Sequence, residues 1–314
     1  MLQAPLSARV ERHPAPPFGP RQVRVRLEGC GVCGSNLPVW EGRPWFTYPF
    51  AGGAPGHEGW GRIDAVGAEV GSVRVGDRVA VLSYHAFADY DVTDESNVAL
   101  LPAALDGRPF PGEALGCAMN VFARADIRPG HTVAIVGVGF LGAVLVRLAA
   151  STGARVIAIS RRPFALETAR RMGARETMLL TDPATTIARV GELTGGADCE
   201  RVIEATGLQE PLDVAGELTA ERGRLVIAGY HQDGPRTVNL QLWNWRGLDV
   251  INAHEREPGR YVSGMQAAIA AVSAGTLDPT PLYTDSFRLD ELPRAFGRMR
   301  DRDGSFLKAI LSYD

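Results

Sequence analysis

The sequence predicts an α/β protein in which a barrel-like β domain with antiparallel strands precedes a doubly wound parallel sheet. Two sequence patterns along the chain support this prediction. The first ~120 residues are rich in Gly and Pro and contain short strand-like runs. From about Thr132 onward, apolar runs alternate regularly with helical stretches. Short runs that are apolar on both faces and joined by helices indicate a parallel sheet covered on both sides.

Local patterns define the individual elements. In the first part of the chain, strand-like runs occupy residues 23–27, 59–66 and 77–82, with turn residues between them. In the second part, the predicted strands are VAIVG, RVIAIS, ETMLL, RVIEAT and RLVIAG. LDVINA is a further predicted strand, PGRYVSGMQAAIAAVSAG is a helix that ends at Gly275, and the chain closes with a helix and a strand.

Length and charge restrict the class of protein. A chain of 314 residues that is 45% hydrophobic and 22% charged exceeds the size of a single core, which indicates two domains. The net charge of -3 and the scattered charges argue against nucleic acid or an anionic membrane as a partner. The N-terminus lacks the apolar segment of a secretory signal, and no run of about 18 apolar residues occurs. We therefore expect a cytoplasmic protein with a small-molecule partner.

Cysteine and lysine usage excludes further classes. Four cysteines, at 30, 33, 117 and 199, are too few for a disulfide scaffold and fit a reducing compartment. The only lysine is Lys308, and position 304 is Gly, so no Tyr-x-x-x-Lys dyad exists. Dehydrogenases that use this dyad are therefore excluded, as is Schiff-base chemistry by an interior lysine.

A glycine-rich fingerprint joins the predicted strand TVAIV to a helix. Gly137, Gly139 and Gly142 form G-x-G-x-x-G, and Phe140 and Leu141 fill the two positions before the last glycine. In this context the first glycine permits the tight turn, the second allows a pyrophosphate to approach, and the third lets the helix pack on the strand. The pyrophosphate would lie at the helix N-terminus. The alternative is a glycine-rich turn that binds no ligand.

The end of the next strand bears on the choice of cofactor. NAD-binding proteins typically place an acidic residue there to bind the ribose hydroxyls, whereas this chain has Ser160, Arg161 and Arg162. A hydroxyl and two guanidinium groups suit the 2′-phosphate of NADP. We therefore predict NADP rather than NAD. The alternative is that both arginines are solvated at the start of a helix.

Possible metal ligands lie in two segments of the first domain. Cys33 belongs to GCGVCGSN, and His57 and Glu58 belong to PGHEGWG. Cys30 and Cys33 form a C-x-x-C pair, but no second pair exists to complete a structural site. A thiolate, an imidazole and a carboxylate from separate segments suit a catalytic zinc with an open position. Taken alone, each residue is more often structural.

The order of these motifs resembles the medium-chain zinc-dependent alcohol and polyol dehydrogenases. The chain shows C-G-x-C-G-S, G-H-E-x-x-G, V-G-D-R-V and then G-x-G-x-x-G, in that order. The resemblance covers almost the whole chain and implies a GroES-like catalytic domain, 1–120 and 276–314, around a Rossmann domain, 121–275. It also implies zinc, a nicotinamide cofactor, an alcohol or carbonyl substrate, and a homodimer or homotetramer joined through Rossmann sheet edges.

Two residues compete for the third ligand position of this family. Cys117 stands where the alcohol dehydrogenases use a cysteine. In the sorbitol and threonine dehydrogenase branch, a glutamate opens the corresponding segment, and EALGCAMNVFARADIRPG resembles that pattern from Glu113. The resemblance therefore implies Cys33, His57 and Glu113 as zinc ligands, with Cys117 as a packed thiol. Glu58 either binds the zinc directly or supports a ligand.

The chain departs from the family at two places. The cluster of four cysteines that holds a structural zinc is absent after V-G-D-R-V, so we predict one zinc per chain. Asn36 replaces the aspartate of C-G-S-D, and Pro38 occupies the position of a frequent relay histidine. The resemblance still implies that Ser35 accepts the substrate hydroxyl proton.

The remaining expectations concern the cofactor and the substrate. Thr206, Gly207, Gly229 and Tyr230 end later strands and should line the nicotinamide side, and Lys308 resembles the family's basic residue at the pyrophosphate. The glutamate-type site suggests a secondary hydroxyl of a polyol, sugar or amino alcohol. Four residues could line a substrate pocket or belong to the core: Trp40, Trp45, Tyr48 and His85. The alternatives are an NADPH-dependent aldehyde or ketone reductase and a catalytically silent accessory protein that binds a cofactor.

Overall fold

The computed structural model describes residues 1–313, which form two compact units. The first unit combines Met1–Cys117 with the chain from Arg256 onward, and the second unit is Ala118–Glu255. Strands and helices occur in both units. The strands in chain order are β1 (Leu2–Ala4), β2 (Ser7–Ala8), β3 (Gln22–Val32), β4 (Glu58–Val66), β5 (Arg78–Val81), β6 (Tyr90–Asp94), β7 (Val98–Leu100), β8 (Thr132–Val136), β9 (Arg155–Ser160), β10 (Glu176–Leu179), β11 (Cys199–Glu204), β12 (Thr219–Ile227), β13 (Asp249–Asn252), β14 (Tyr283–Arg288) and β15 (Lys308–Ser312).

The helices connect these strands and cover the sheets. They are α1 (Leu37–Glu41), α2 (Gly112–Ala125), α3 (Phe140–Ser151), α4 (Pro163–Met172), α5 (Pro183–Thr194), α6 (Gln209–Leu218), α7 (Leu240–Arg246), α8 (Pro258–Ser273) and α9 (Leu292–Asp301). Short 3-10 turns precede α1 and α9. Within residues 1–313, no helix combines the length and the apolar character needed to cross a membrane.

The observed unit boundary differs from the predicted one on the C-terminal side. The second domain was predicted to span 121–275, whereas the second unit ends at Glu255, so α8 belongs to the first unit. Close packing against α2 accounts for this. An ideal Cβ at Gly116 would lie 2.8 Å from the amide nitrogen of Met265, and Met265 is fully buried.

The first unit is built on a seven-stranded sheet of mainly antiparallel strands. Their order is β14-β15-β3-β4-β5-β7, and β6 also pairs with β3. Alternate residues of β3, including Val23, Val25 and Leu27, are buried, as expected of a strand with one face toward a core. Helix α9 covers this core: Phe296 stacks on Trp40 with ring centroids 5.0 Å apart. The strand pattern confirms the predicted β domain.

The second unit contains a six-stranded sheet in which every pair of neighbouring strands is parallel. The order is β10-β9-β8-β11-β12-β13, which is the 3-2-1-4-5-6 order of dinucleotide-binding folds. Residues 133–136 of β8 and 156–160 of β9 are all buried, because the central strands of such a sheet are covered on both faces. The order reverses between β8 and β11, and ligands bind at such a switch point, beyond the carboxyl ends of the strands. The predicted doubly wound sheet is confirmed.

Candidate active site

The first unit brings together three groups that could bind one metal ion. Strand β3 leads into Cys33, and β4 begins at Glu58, directly after His57. The antiparallel ladder pairs Gly31 with Glu58, which places the end of β3 beside the start of β4. One ligand atom each of Cys33, His57 and Glu58 lies within 4.8 Å of the other two. Thiolate, imidazole and carboxylate are all ligands that zinc accepts.

The orientation of His57 leaves one ring nitrogen for a metal. Nδ1 lies 2.9 Å from the carbonyl oxygen of Pro55, and because a carbonyl only accepts, Nδ1 carries the proton and donates it. The unprotonated Nε2 of a neutral ring can then bind a cation. Ser35 Oγ lies 3.5 Å from this Nε2, so the predicted proton acceptor is adjacent to the cluster.

The negative charges around His57 favour the binding of a cation. Burial lowers the pKa of His57, but the hydrogen bond and charge of Cys33, followed by the charges of Glu113 and Glu58, raise it to about 10. Without a metal, the ring therefore holds a proton at neutral pH. A divalent cation would replace that proton and neutralise the surrounding negative charge.

Glu113 and Cys117 lie one turn apart on α2 and contact each other. Sγ of Cys117 donates to Oε1 of Glu113 across 3.1 Å. Burial raises the pKa of Cys117 well above its ordinary value, and the charge of Glu113 adds to this shift, which favours the thiol form. Burial also raises the pKa of Glu113, while the charge of His57 opposes that shift. The charges of Glu113 and His57 therefore affect each other. Glu113 is not one of the three residues whose ligand atoms lie within 4.8 Å of one another.

Lys308 forms a contact that was not predicted from the sequence. Its Nζ donates to Oε1 of Glu58 at 2.6 Å and forms an ion pair with Oε2, while its role at the cofactor pyrophosphate stays a prediction. Glu58 is 0% exposed and Lys308 is 4% exposed. The pairing arises because β15 lies next to β3, so the start of β15 reaches the ligand cluster. Glu58 is therefore held by a buried ammonium group.

Asn36 joins the Cys33 turn to the His57 segment. Its Oδ1 accepts from the backbone amide of Cys33 at 3.3 Å, and its Nδ2 donates to the Pro55 carbonyl at 3.2 Å. Asn36 is buried, so its amide group fixes both ligand-bearing segments. The sequence identified Asn36 only as a departure from an aspartate, because the contact partner lies 19 residues away. Cys30, in contrast, is a buried core thiol.

The aromatic residues considered for a substrate pocket separate into core and surface. Trp40 is a core residue, and Tyr48 bonds through its hydroxyl to the Val39 carbonyl. Trp45 is exposed, and Nδ1 of His85 lies 3.1 Å from the Gly52 carbonyl. Tyr84 was not predicted from the sequence, and its exposed ring lies 6.0 Å from the His57 ring.

In the second unit, the glycine fingerprint has the geometry of a phosphate-binding turn. Gly137 has φ +103°, and an ideal Cβ on Gly142 would lie 2.0 Å from the Gly137 carbonyl oxygen, so both positions need glycine. An ideal Cβ on Gly139 would meet nothing within 4 Å, which leaves this side open to a ligand. Helix α3 begins at Phe140 without a side-chain cap, so its first amide groups can bind a phosphate.

The two arginines after β9 have different surroundings. Ser160 is buried, and its Oγ accepts from the amide of Arg162 at 3.2 Å. The Arg162 guanidinium donates to the Val138 carbonyl at 3.1 Å and so contacts the fingerprint turn. Arg161 is exposed, and within residues 1–313 no carboxylate lies close enough to form an ion pair with it. Arg161 is therefore the better placed of the two for a 2′-phosphate.

A buried glutamate organises the ends of β11 and β12. Oε1 of Glu204 accepts from the amide groups of Thr206 at 2.6 Å and Gly207 at 2.9 Å. Oε2 of Glu204 lies 3.0 Å from Nε2 of His231. Arg236 donates to Nδ1 of the same ring at 2.9 Å, so the ring proton is on Nε2 and is donated to Glu204.

The two strand ends predicted to line the nicotinamide lie against each other. An ideal Cβ on Gly229 would lie 2.1 Å from the Gly207 amide nitrogen, so the predicted residues of the two strand ends are brought together. Tyr230 is exposed and stacks on His254 with ring centroids 5.5 Å apart. Glu204, His231 and Arg236 were missed, because a single acidic residue at a strand end gives no local signal of these partners.

Two family models match the chain in succession. The model described as "Alcohol dehydrogenase GroES-like domain" matches residues 19–123, which include Cys33, His57, Glu58 and Glu113. The model described as "Zinc-binding dehydrogenase" matches residues 141–268, from the start of α3 into α8.

Proteins of similar length match over almost the whole chain. Sorbitol dehydrogenase of Rattus norvegicus is 26% identical over 100% of this chain and 95% of its own. The 5-exo-hydroxycamphor dehydrogenase of Pseudomonas putida is 28% identical over 96% of this chain and 95% of its own. The crystal structure of 2R,3R-butanediol dehydrogenase from Bacillus subtilis has a TM-score of 0.85 at 22% identity, covering 99% of this chain and 98% of its own. At that identity the structural match shows the fold.

Proposed function

Because the chain belongs to the medium-chain zinc-dependent alcohol and polyol dehydrogenases, a family of nicotinamide-dependent oxidoreductases, we propose that it interconverts a secondary alcohol and its ketone on a polyol, sugar or amino alcohol. The observation that carries the proposal is the convergence of Cys33, His57 and Glu58 at one point of the first unit. The sorbitol dehydrogenases that match the chain support a substrate with several hydroxyl groups.

The donor set and its charge fit a zinc ion. Cys33, His57 and Glu113 would hold it, and Glu58 would lie beside it in its ion pair with Lys308. A zinc ion held there would supply Lewis acidity, which lowers the pKa of a bound hydroxyl and polarises a carbonyl. Between Val81 and Tyr90 the sequence contains no cysteine, which supports one zinc per chain.

Ser35 would handle the proton of the substrate hydroxyl. Its Oγ can accept that proton and pass it on, and it lies next to the free nitrogen of His57. A hydroxyl within 3.5 Å of the nitrogen that would bind the zinc is close enough to receive the proton of a zinc-bound hydroxyl group. Pro38 has no titratable group, so the relay beyond Ser35 depends on solvent or on another side chain.

The second unit would bind the nicotinamide cofactor. The open face of Gly139 and the first amides of α3 suit a pyrophosphate, and the Glu204 network fixes the strand ends beside the nicotinamide. The exposed Arg161 and the absence of a carboxylate at Ser160 favour NADP over NAD. A bound cofactor of this class supplies the hydride donor or acceptor.

The cysteines and the sheet edge of the second unit support a location and an assembly for the protein. Four cysteines without a disulfide fit the cytoplasm. Among the strands of residues 1–313, β13 pairs only with β12 and so leaves one sheet edge of the second unit available, which supports a homodimer or homotetramer formed through that edge. Sedimentation of the purified protein would test this assembly.

A substrate screen tests the proposed function. The zinc-loaded protein would be assayed with polyols, sugars and amino alcohols in the presence of NAD or NADP, and with ketones and aldehydes in the presence of NADPH. We expect oxidation of at least one secondary alcohol that chelation abolishes and added zinc restores. The matched control is Cys33→Ser, which should lack this activity. Cofactor binding without turnover in any assay would instead favour a catalytically silent accessory protein.

A further inference from the structure

The loop that follows β12 contains no buried residue. Residues 229–237 are termed the β12 loop, and each of them is exposed or half-buried. The loop therefore places no apolar side chain in a core that would fix its conformation. Segments with few buried apolar contacts open at a low cost in free energy. The conformation of the β12 loop thus depends chiefly on the hydrogen bonds that it forms.

Arg236 ties the β12 loop to the segment that follows β11. Its Nη2 donates to the carbonyl oxygen of Gly207 at 2.7 Å, and its Nε donates to Nδ1 of His231 at 2.9 Å. Nη2 also pairs with the carboxylate of Asp233 within the loop. A guanidinium group can hold three partners because its five N–H groups lie in one fixed plane. One side chain thus connects the two ends of the loop with each other and with Gly207.

His231 connects Arg236 to the buried Glu204. The ring accepts from Arg236 at Nδ1 and donates from Nε2 to Oε2 of Glu204 at 3.0 Å. Oε1 of Glu204 accepts from the amide of Gly207 at 2.9 Å. Side chains therefore hold both the amide and the carbonyl of Gly207. The start of the loop packs directly on this residue, since an ideal Cβ at Gly207 would lie 2.6 Å from the carbonyl oxygen of Tyr230.

A second connection lies at the end of the loop. The side-chain amide of Gln209 donates to the Thr237 carbonyl at 2.8 Å and accepts from the Thr237 amide at 3.0 Å. Gln209 is the first residue of α6, so Arg236 and Thr237 hold the loop against residues 207–209. Strands β11 and β12 are parallel neighbours, and their carboxyl ends lie at one edge of the sheet. The loop therefore crosses the strand ends at which ligands bind in this fold.

We propose that Arg236 and His231 are positioning residues that hold the β12 loop in the conformation that receives the nicotinamide end of the cofactor. The inference rests on the proposed function, which includes this cofactor. A ligand that binds one conformation of a loop loses apparent affinity in proportion to the fraction of protein in that conformation. Removal of either side chain lowers this fraction. The adenosine end would bind at the fingerprint turn between β8 and α3, so its binding does not depend on the loop.

Equilibrium binding to the zinc-loaded protein tests this proposal. NADP and NAD would be titrated by calorimetry, each beside its analogue without nicotinamide, 2′-phospho-ADP-ribose and ADP-ribose. The variants are Arg236→Gln and His231→Ala. The matched control is Arg189→Gln, because Arg189 lies in the same unit and, like Arg236, pairs with a carboxylate three residues away. Thermal unfolding would verify that each variant folds, and hydrogen exchange would measure opening of residues 229–237.

The nicotinamide-free analogues separate a positioning role from a structural one. Both variants should bind NADP or NAD about tenfold or more weakly, the loss that corresponds to one hydrogen bond to a charged group. Their affinity for the analogues should not change, the β12 loop should exchange faster, and Arg189→Gln should behave as the wild type.

Equal losses for cofactors and analogues would overturn the proposal, because they would indicate a general disturbance of the second unit. Unchanged affinity for the cofactors, or unchanged exchange of residues 229–237, would also overturn it. Binding requires no turnover. A wild-type protein that binds a cofactor but converts no alcohol or carbonyl compound would contradict the proposed function alone, and the comparison with the analogues would still decide the role of Arg236 and His231.

Discussion

Lys308 donates a 2.6 Å hydrogen bond to Glu58, although the two residues are 250 positions apart and both are buried. Lys308 is the only lysine of the chain, and its ammonium group also pairs with the second oxygen of the Glu58 carboxylate. The pair therefore holds a carboxylate within reach of Cys33 and His57 while compensating its charge. Because the ammonium group compensates the charge of Glu58, this ion pair lowers the net negative charge around Cys33 and His57.

Removing the ammonium group should destabilise the fold. We expect Lys308→Met to lower the free energy of unfolding by about 3 to 5 kcal/mol, because it leaves the buried Glu58 carboxylate uncompensated. The double variant with Glu58→Gln should recover part of this loss, since it removes the unpaired charge. Urea unfolding of the three proteins measures both values. Equal stability of Lys308→Met and the wild type would show that the pair does not exist in solution.

Gly31 should be required for this pair. An ideal Cβ at Gly31 would lie 1.9 Å from Oε2 of Glu58 and 3.0 Å from Cε of Lys308, so Gly31→Ala should displace the carboxylate. Zinc binding should weaken by about tenfold or more, as expected when a group that supports a metal site is displaced. Gly52→Ala is the control, because a Cβ there would meet nothing within 4 Å. Competition with a chelator measures the affinity. A similar zinc affinity in both variants would contradict this role.

The strands and the fingerprint turn were easier to predict from the sequence than the tertiary contacts between segments. Strands β3, β4 and β5, the parallel strands and the fingerprint turn follow from local patterns of apolar and glycine residues. The contact of Lys308 with Glu58 was not predicted, because the pairing of β15 with β3 brings the two residues together. The predicted 121–275 boundary differs from the observed unit because the packing of α8 on α2 is a tertiary contact. The contacts of Asn36 and Glu204 were missed for the same reason: their hydrogen bonds bridge separate segments.

Glu113 and Cys117 should differ in their effect on zinc. Glu113→Ala should release the metal and abolish turnover, because it removes the proposed third ligand. Cys117→Ser should retain most of the zinc, because burial and the Glu113 charge favour a protonated thiol at this position. Metal content after dialysis against a chelator ranks the two variants. The reverse ranking would transfer the ligand role to Cys117.

Stability of the zinc-free protein should depend on the protonation of His57. Its pKa is raised to about 10 in the folded state, from 6.5, so the contribution is fully present below pH 6.5 and is lost as the pH rises through about 10. Between these values the free energy of unfolding should fall by about 1.4 kcal/mol per pH unit relative to His57→Gln. Urea unfolding at several pH values measures the slope. Parallel pH profiles of the two proteins would rule out this coupling.

Arg161 should contribute to the choice of cofactor. One charge-assisted contact to a 2′-phosphate is worth about 1.5–3 kcal/mol, so Arg161→Ala should raise the KM for NADP by about tenfold or more and leave the KM for NAD nearly unchanged. Arg175→Ala, which removes another arginine of the same unit, serves as the control. Equal efficiency with both cofactors, unaffected by Arg161→Ala, would show that the side chain is merely solvated.

A zinc titration of the metal-free protein tests the central claim most directly. Turnover of the best alcohol found in the screen would be followed as zinc is added, and bound zinc would be counted by elemental analysis. We predict that activity rises linearly and reaches its maximum at about one zinc per chain, and that Cys33→Ser neither binds this zinc tightly nor gains activity. Full activity without metal, or a requirement for two tightly bound zinc ions per chain, would contradict the account.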